Sequence, residues 1–252
     1  MSLYQHADKE PLSLESRFTF HCHPGLACFN RCCAAPTILL SPYDILRLKN
    51  CLGIASGEFL RRYTCREIDP RSNLALIFMD ISGSEESGCP FLSAGGCTVY
   101  PHRPAACRLF PLTMGSRLTE EGLVDYYCCR RLDYCQGFAA GAEWTVASWR
   151  ADQGFEEYDR GRREWLEIIL RQGQKGQVDA RVKNLFTAMA YDLDKFRHML
   201  REPVFHQVLD LDDREWASLE LDDLALLQVS CRAIKALLFN PDATDRITAA
   251  LP

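Results

Sequence analysis

The cysteines are the sequence feature that most limits what this chain can fold into. The chain has 13 cysteines in 252 residues, and 12 of them lie before residue 136. An odd number of clustered cysteines does not suit a disulfide framework, and a hydrophobic content of 47% can fill a core without covalent crosslinks. Clustering also argues against the cysteines serving only as small buried side chains. We therefore expect most of them to be metal ligands.

Charge and hydropathy exclude several classes of protein. The segment from Met1 to Phe20 is polar and lacks the apolar run of a secretory signal, and no stretch approaches the roughly 18 apolar residues of a membrane span. We expect a soluble, cytoplasmic protein with no membrane partner. The net charge of −5 arises after residue 140, because basic and acidic residues balance before it. Short basic pairs such as Arg130-Arg131 are predicted to be solvated helix faces, so no nucleic-acid partner is expected.

Hydrophobic spacing and capping signals predict a mainly α fold with a few short strands. Its irregular cysteine-rich N-terminal region is expected to be organised by metal and to pack on C-terminal helices. Cys231 falls on the apolar stripe of the last predicted helix and is assigned to the core. The segment Ser82–Gly88 is predicted to be a mobile loop. The predicted helices begin at Ser41 and near Ser56, cover one or two segments within 144–170, and span 182–200 and 224–238; the predicted strands are 74–79 and 123–127.

The cysteine spacing indicates more than one tetrahedral site. Ten cysteines lie in three groups, which are Cys22 with the "CFNRCC" segment, then Cys89, Cys97 and Cys107, and then Cys128, Cys129 and Cys135. Ten thiols allow two centres or one polynuclear centre. Neighbouring side chains on extended backbone point to opposite sides, so Cys32 and Cys33 either serve different centres or only one is a ligand. The spacing fits neither paired C-x2-C zinc modules nor a C-x3-C-x2-C radical-enzyme motif, because residue 35 is Ala35.

Several ordered motifs resemble the YkgJ-type cysteine-cluster family, a zinc- or iron-chelating domain. They are "CFNRCC", "CPFL", "CTVY", "RPAACRLFP", "CQGF" and "GAEWT", between Phe18 and Trp149. Near Cys22 the spacing departs from the family, so His21 or His23 is the alternative first ligand, and Cys128 and Cys129 match no secure family position. The resemblance implies these metal ligands: Cys22, Cys28, Cys32, Cys33, Cys89, Cys97, Cys107 and Cys135.

The motifs also divide the chain and assign local roles. We expect an N-terminal tail at 1–17, a cysteine-cluster domain at 18–150 and a helical extension at 151–252. Pro104 is placed to begin a short helix that presents Cys107, and the charges of Arg103 and Arg108 would favour its thiolate. Surface ion pairs are the alternative for these arginines. Cys51 and Cys65 lie outside every motif and are predicted to be buried structural residues.

Three hypotheses for function follow. The first is an iron-binding protein, with iron–sulfur favoured over zinc and a structural or redox role; the family has been labelled an iron–sulfur oxidoreductase. The second is a zinc-organised interaction module whose acidic helical C-terminus contacts a protein partner. The third is a protein lysine methyltransferase, because flagellin lysine methylases contain a similar cysteine region. The third ranks last, since the sequence has no G-x-G-x-x-G fingerprint and no convincing nucleophile and base, and no catalytic residue is assigned.

Overall fold

The computed structural model describes residues 11–34, 37–82, 88–139 and 141–251 of the chain. The predicted tail is therefore described only from residue 11, and most of the loop predicted at Ser82–Gly88 lies outside the described residues. Just over half of the chain is helical, with a few short antiparallel strands, which confirms the mainly α fold class.

The helices and strands are numbered in chain order. The first half contains β1 (Arg17–Thr19), β2 (Leu39–Leu40), α1 (Pro42–Leu52), α2 (Ser56–Tyr63), β3 (Thr64–Ile68), β4 (Ala75–Met79), β5 (Leu92–Ser93), β6 (Gly96–Cys97), α3 (Ala105–Leu109), β7 (Leu112–Thr119) and β8 (Gly122–Cys129). The second half contains β9 (Glu143–Thr145), α4 (Val146–Asp152), α5 (Phe155–Lys175), α6 (Ala180–Tyr191), α7 (Leu193–Met199), α8 (Pro203–Val208), α9 (Asp213–Ser218), α10 (Asp223–Phe239) and α11 (Pro241–Ala250).

The chain divides into two compact units, each built from two separate segments. The first unit contains the described residues up to Leu39 and those from Met79 to Asp159. The second unit contains residues 40–78 and the described residues from 160 onwards. All ten clustered cysteines belong to the first unit. The three domain boundaries derived from the sequence stay a prediction.

Antiparallel pairs of strands form the framework of the first unit. β7 and β8 form a hairpin in which Leu112 lies opposite Cys129 and Thr119 lies opposite Gly122. β1 pairs with β9, and β5 pairs with β6, both antiparallel. The two-residue strands β5 and β6 are too short to be stable alone, so the loops around them need further support.

The second unit begins with a helix whose start is encoded locally. The Ser41 hydroxyl accepts the Asp44 N–H at 3.2 Å, and the Asp44 carboxylate accepts the Ser41 N–H at 2.8 Å. Pro42 occupies the first turn of α1, where its missing N–H costs nothing. Ile45 and Leu48 then point into the core. The helices predicted from Ser41 and near Ser56 are both confirmed.

The continuous helix predicted over 182–200 is wrong, because the structure has two helices there. α6 ends at Tyr191 and α7 begins at Leu193. The carboxylate of Asp192 accepts the Lys195 N–H at 3.2 Å and so caps α7. The apolar spacing continues across this break, since Met189 and Phe196 are both fully buried. Periodicity alone therefore could not reveal the break, whereas an acidic capping residue could.

The remaining helical predictions agree with the structure. α4 and α5 fill the segment between Trp144 and Leu170, and Gly154 separates them with a φ of 58°. α10 covers the predicted final helix. Cys231 on this helix is buried in the core, with 3% exposure. Within the described ranges, no helix combines the length and apolarity needed to span a membrane.

The capping box of α1 leads to a stability prediction. We expect Ser41→Ala to lower the free energy of unfolding by about 1 kcal/mol, because the N–H of Asp44 loses its acceptor at the buried start of a helix. Urea unfolding followed by circular dichroism measures the change. Ser218→Ala is the matched control, because the Ser218 hydroxyl donates back to the Glu215 carbonyl and caps no N–H, and it should stay within about 0.5 kcal/mol of the parent. Equal midpoints for the two variants would contradict the assigned cap.

Candidate metal centre

An aromatic cluster fixes the backbone from which Cys22 emerges. The ring of Phe20 is 2% exposed, and its centroid lies 5.1 Å from that of Phe138 and 5.8 Å from that of Trp149. The His21 N–H donates to the Gly137 carbonyl at 2.8 Å. These contacts hold the segment before Cys22 against the turn that follows Cys135, although the two are far apart in sequence.

The CFNRCC segment forms a tight turn against the same region. Asn30 adopts a left-handed φ of 70°, and a short 3-10 helix follows at Arg31–Cys33. The side chain of Cys28 is buried, and its Sγ atom accepts the Gln136 N–H at 3.2 Å. Cys28 also contributes to raising the pKa of Cys135. Cys28 and Cys135 are therefore direct neighbours.

Electrostatic interactions define the first thiol set, which consists of Cys22, Cys28, Cys32 and Cys135. Burial, together with the nearby Cys32, Cys28 and Cys135, raises the pKa of Cys22 to about 11. Burial also raises the pKa of Cys135, with contributions from Cys28 and Cys32. Four of the eight predicted ligands thus lie close enough to oppose one another's ionisation.

The second thiol set consists of Cys33, Cys89, Cys97 and Cys107. The Cys89 N–H donates to the Cys33 carbonyl at 3.1 Å, which joins the two sequence motifs. Cys97 lies in β6 opposite Leu92. Burial raises the pKa of Cys89, with contributions from Cys97 and from Cys32 of the first set, and Cys107 and Cys89 both raise the pKa of Cys33.

The adjacent residues Cys32 and Cys33 join the two sets. Their Sγ atoms are 4.0 Å apart. The hydrogen bond between them lowers the pKa of Cys32 to about 7 and raises that of Cys33, because the Cys32 thiolate is the better acceptor. Arg130 also lowers the pKa of Cys32. The eight predicted ligands are thus brought into one patch of thiols, with Cys32 and Cys33 at its centre.

The other candidate ligands lie in different surroundings. Cys128 and Cys129 belong to β8, opposite Thr113 and Leu112, and Cys129 is 6% exposed. The rings of His21 and His23 lie 4.9 Å apart, and His23 Nδ1 accepts the Gly25 N–H at 3.1 Å.

Two cysteines outside the motifs correct the sequence analysis. Cys51 and Cys65 are both exposed, so the prediction that they are buried structural residues is wrong. Cys51 lies in the last turn of α1, and Cys65 lies in β3, where every residue from Cys65 to Ile68 faces solvent. The general preference of cysteine for the core does not apply where the element itself is exposed.

The helix around Cys107 is as predicted, but the arginines beside it are not in surface ion pairs. Pro104 precedes α3, which carries Cys107. The Arg103 guanidinium lies 3.8 Å above the centroid of the Tyr100 ring, and Cys107 interacts with it electrostatically. Arg108 donates to the carbonyls of Pro101 at 2.6 Å and Gln153 at 2.8 Å. Neither arginine pairs with a carboxylate in the described part of the chain.

Arg130 is the residue beside the site whose role the sequence analysis missed. It was assigned to a solvated helix face, but it follows strand β8, and its backbone N–H donates to the Pro111 carbonyl at 2.8 Å. Its charge acts on Cys32 and on Tyr134. The available signal was its position directly after Cys128 and Cys129 in a cysteine-rich segment.

The donor type and number fit a thiolate metal centre. Cysteine thiolates are ligands of zinc and of iron in iron–sulfur clusters, and each set supplies the four that such a centre takes. Among the described residues, no three His, Cys, Asp or Glu side chains converge in an arrangement that would hold a metal ion. The thiols are therefore neighbours but do not form a closed coordination shell.

The link between the two motifs depends on Gly88. Its φ is 71°, and a Cβ atom there would lie 1.7 Å from the Ala34 carbonyl oxygen. We expect Gly88→Ala to destabilise the first unit by more than about 2 kcal/mol, because a backbone atom cannot rotate away from this clash. Thermal unfolding and metal content of the purified full chain measure the effect. Gly95→Ala is the matched control, since its nearest neighbour would be Ser93 Oγ at 3.8 Å; equal melting of both variants would contradict the prediction.

Comparison with known proteins supports the assignment of this region. A family model named CxxCxxCC, described as "putative zinc- or iron-chelating domain", matches residues 21–130. Cys135 lies beyond that match, although it neighbours Cys28 in the structure. Neither the curated proteins nor the solved structures gave a match. The resemblance found in the sequence is confirmed to this extent: residues 21–130, less than half of the chain, are similar to the family described in these words.

Proposed function

We propose that the first unit binds iron through its cysteine thiolates as an iron–sulfur centre. The observation that carries the proposal is that the eight predicted ligands all lie in the first unit, where the Sγ atoms of Cys32 and Cys33 are 4.0 Å apart; we divide the eight thiols into two sets of four. An iron–sulfur cluster bound by cysteine alone takes four thiolates, so each set matches the demand of one cluster. The eight ligands are those implied by the family resemblance.

The surroundings of the two sets support different roles for them. In the first set, Cys22 and Cys32 are exposed, so a centre held there would exchange electrons with a partner at the surface. In the second set, Cys89 is buried and its N–H is bonded to Cys33, so a centre held there would fix the loops around it. The metal's binding energy would then also be folding energy for this unit. The proposal therefore includes a structural role and a redox role.

Zinc is the second candidate, because the matching family model is described as zinc- or iron-chelating and a tetrahedral zinc site also takes four thiolates. A zinc-organised interaction module, with the acidic helices contacting a protein partner, is the function that would follow. The lysine methyltransferase hypothesis stays a prediction from the sequence.

Metal and sulfide analysis separates the two candidates. We expect the full chain, purified without oxygen, to contain iron together with acid-labile sulfide and to show broad visible absorption that bleaches on reduction. Colourless protein with stoichiometric zinc and no sulfide would reject the iron–sulfur proposal and support the zinc module. Protein that takes up neither metal, even when iron or zinc is supplied during expression, would reject both.

Single cysteine substitutions test the two sets separately. We expect Cys135→Ser to remove the metal of the first set and Cys107→Ser to remove that of the second, because each takes one of four thiolates away. Cys32→Ser removes the ligand at the junction and should have the largest effect. Metal per chain, measured by plasma emission, reports the loss. Cys231→Ala is the control and should keep full metal content, because Cys231 lies in the core of the second unit. Full metal content in Cys107→Ser would contradict the second set.

A further inference from the structure

A groove in the second unit is lined by exposed leucines. It lies between α1 and the turn that joins α9 to α10, and its volume of about 420 Å³ is in the range of ligand pockets. Leu221 on the turn is 95% exposed, and Leu224 in the first turn of α10 is 51% exposed. A single exposed leucine needs no explanation, but two that line one groove with the buried Tyr43 and Leu46 form an open apolar surface.

The turn that carries Leu221 is held in place by hydrogen bonds. The Ser218 carbonyl accepts the Leu221 N–H at 3.2 Å. Arg197 on α7 donates to the Leu219 carbonyl at 2.9 Å and to the Asp223 carboxylate at 2.6 Å. The exposure of Leu221 is therefore a property of a fixed turn, so little conformational freedom is lost when a partner covers it.

The two sides of the groove are also joined to each other. Asn50 Nδ2 on α1 donates to the Asp223 carboxylate of α10 at 3.0 Å, and the ammonium of Lys49 lies 3.5 Å from the same carboxylate. These contacts use the charge of Asp223 within the unit and fix the separation of the two sides. The groove is therefore formed before any partner binds.

Acidic residues surround the exposed leucine of the turn. Residues 210–223 include seven acidic residues and one basic residue. Glu220 and Asp222, directly before and after Leu221, are both exposed, and neither forms an ion pair within the described residues, although Asp222 caps α10. Such charge repels nucleic acid and anionic lipid, and it opposes a second copy of the same surface. A positively charged protein partner is the one that complements it.

We propose that this groove binds an amphipathic helix of a partner protein, with an apolar face and with basic residues on its polar face. The apolar face covers Leu221 and Leu224, and the basic residues pair with Glu220 and Asp222. Because both sides of the groove come from helices and a turn, a helix laid in the groove fits better than an added strand. Arg47 on the α1 side keeps the basic residues on the side of the turn, because like charges repel.

The inference goes beyond the iron–sulfur proposal and does not rest on it. Every residue that lines the groove belongs to the second unit, whereas all the candidate metal ligands belong to the first. Metal content and binding at the groove are therefore measured on different residues. For the zinc-organised module, the groove specifies which part of the acidic helices contacts the protein partner.

A labelled model peptide tests the proposal on the full chain. The probe is a helical peptide of about 18 residues with leucine on one face and lysine on the other, and fluorescence anisotropy measures its Kd. We expect Leu221→Ser to raise the Kd at least about fivefold, and Glu220→Lys to raise it several-fold and to weaken its salt dependence. Ile68→Ser and Glu67→Lys, on the exposed strand β3, are the matched controls and should bind as the parent does.

The other outcomes overturn the proposal. A parent that does not bind the peptide, or equal Kd values for the groove variants and the β3 controls, would show that the groove is not the site. Equal binding of a peptide with serine in place of leucine would reduce the contact to charge attraction, and tighter binding of a peptide with glutamate in place of lysine would reverse the charge of the partner. A dimeric parent that Leu221→Ser converts to a monomer in sedimentation would assign the groove to a second copy of the chain. Each of these results leaves the iron–sulfur proposal standing.

Discussion

The hydrogen bond from the Cys89 N–H to the Cys33 carbonyl is the contact on which the arrangement of the thiols depends. It places the segment that begins at Cys89 directly against the CFNRCC turn. The same turn carries Cys28, which lies beside Cys135. Both sets of four thiols are therefore assembled around one short piece of backbone. Because the approach at Gly88 leaves no room for a side chain, a change there affects both motifs.

Bringing eight thiols together creates an electrostatic cost that the surroundings partly offset. Neighbouring thiolates raise the pKa of Cys22 and of Cys33, so the metal-free unit holds these two groups as neutral thiols. Metal binding must then release protons, which makes its affinity dependent on pH. Arg130 and Arg103 supply positive charge beside Cys32 and Cys107 without being neutralised by a carboxylate among the described residues.

Local signals in the sequence were sufficient for most helices, but not for the contacts between distant cysteine segments. The Ser41 cap and the apolar stripe of α10 are encoded within a few residues, so both could be predicted. The contact between Cys28 and the Gln136 amide spans 108 positions and depends on the burial of Phe20, which no local pattern contains. For the same reason, composition alone could not show that Cys51 and Cys65 are exposed.

The interactions that stabilise the second unit differ from those of the first. Its core contains fully buried side chains such as Phe186 and Ile234, and the ammonium of Lys49 lies 3.4 Å from Asp194 and 3.5 Å from Asp223. The Lys49 side chain is only 8% exposed, so these pairs are shielded from salt far better than surface pairs. The candidate ligands all lie in the first unit, where short strands and loops leave less regular structure to support them. A bound metal would therefore add its binding free energy to the stability of the first unit, whereas apolar burial and this ion-pair network stabilise the second.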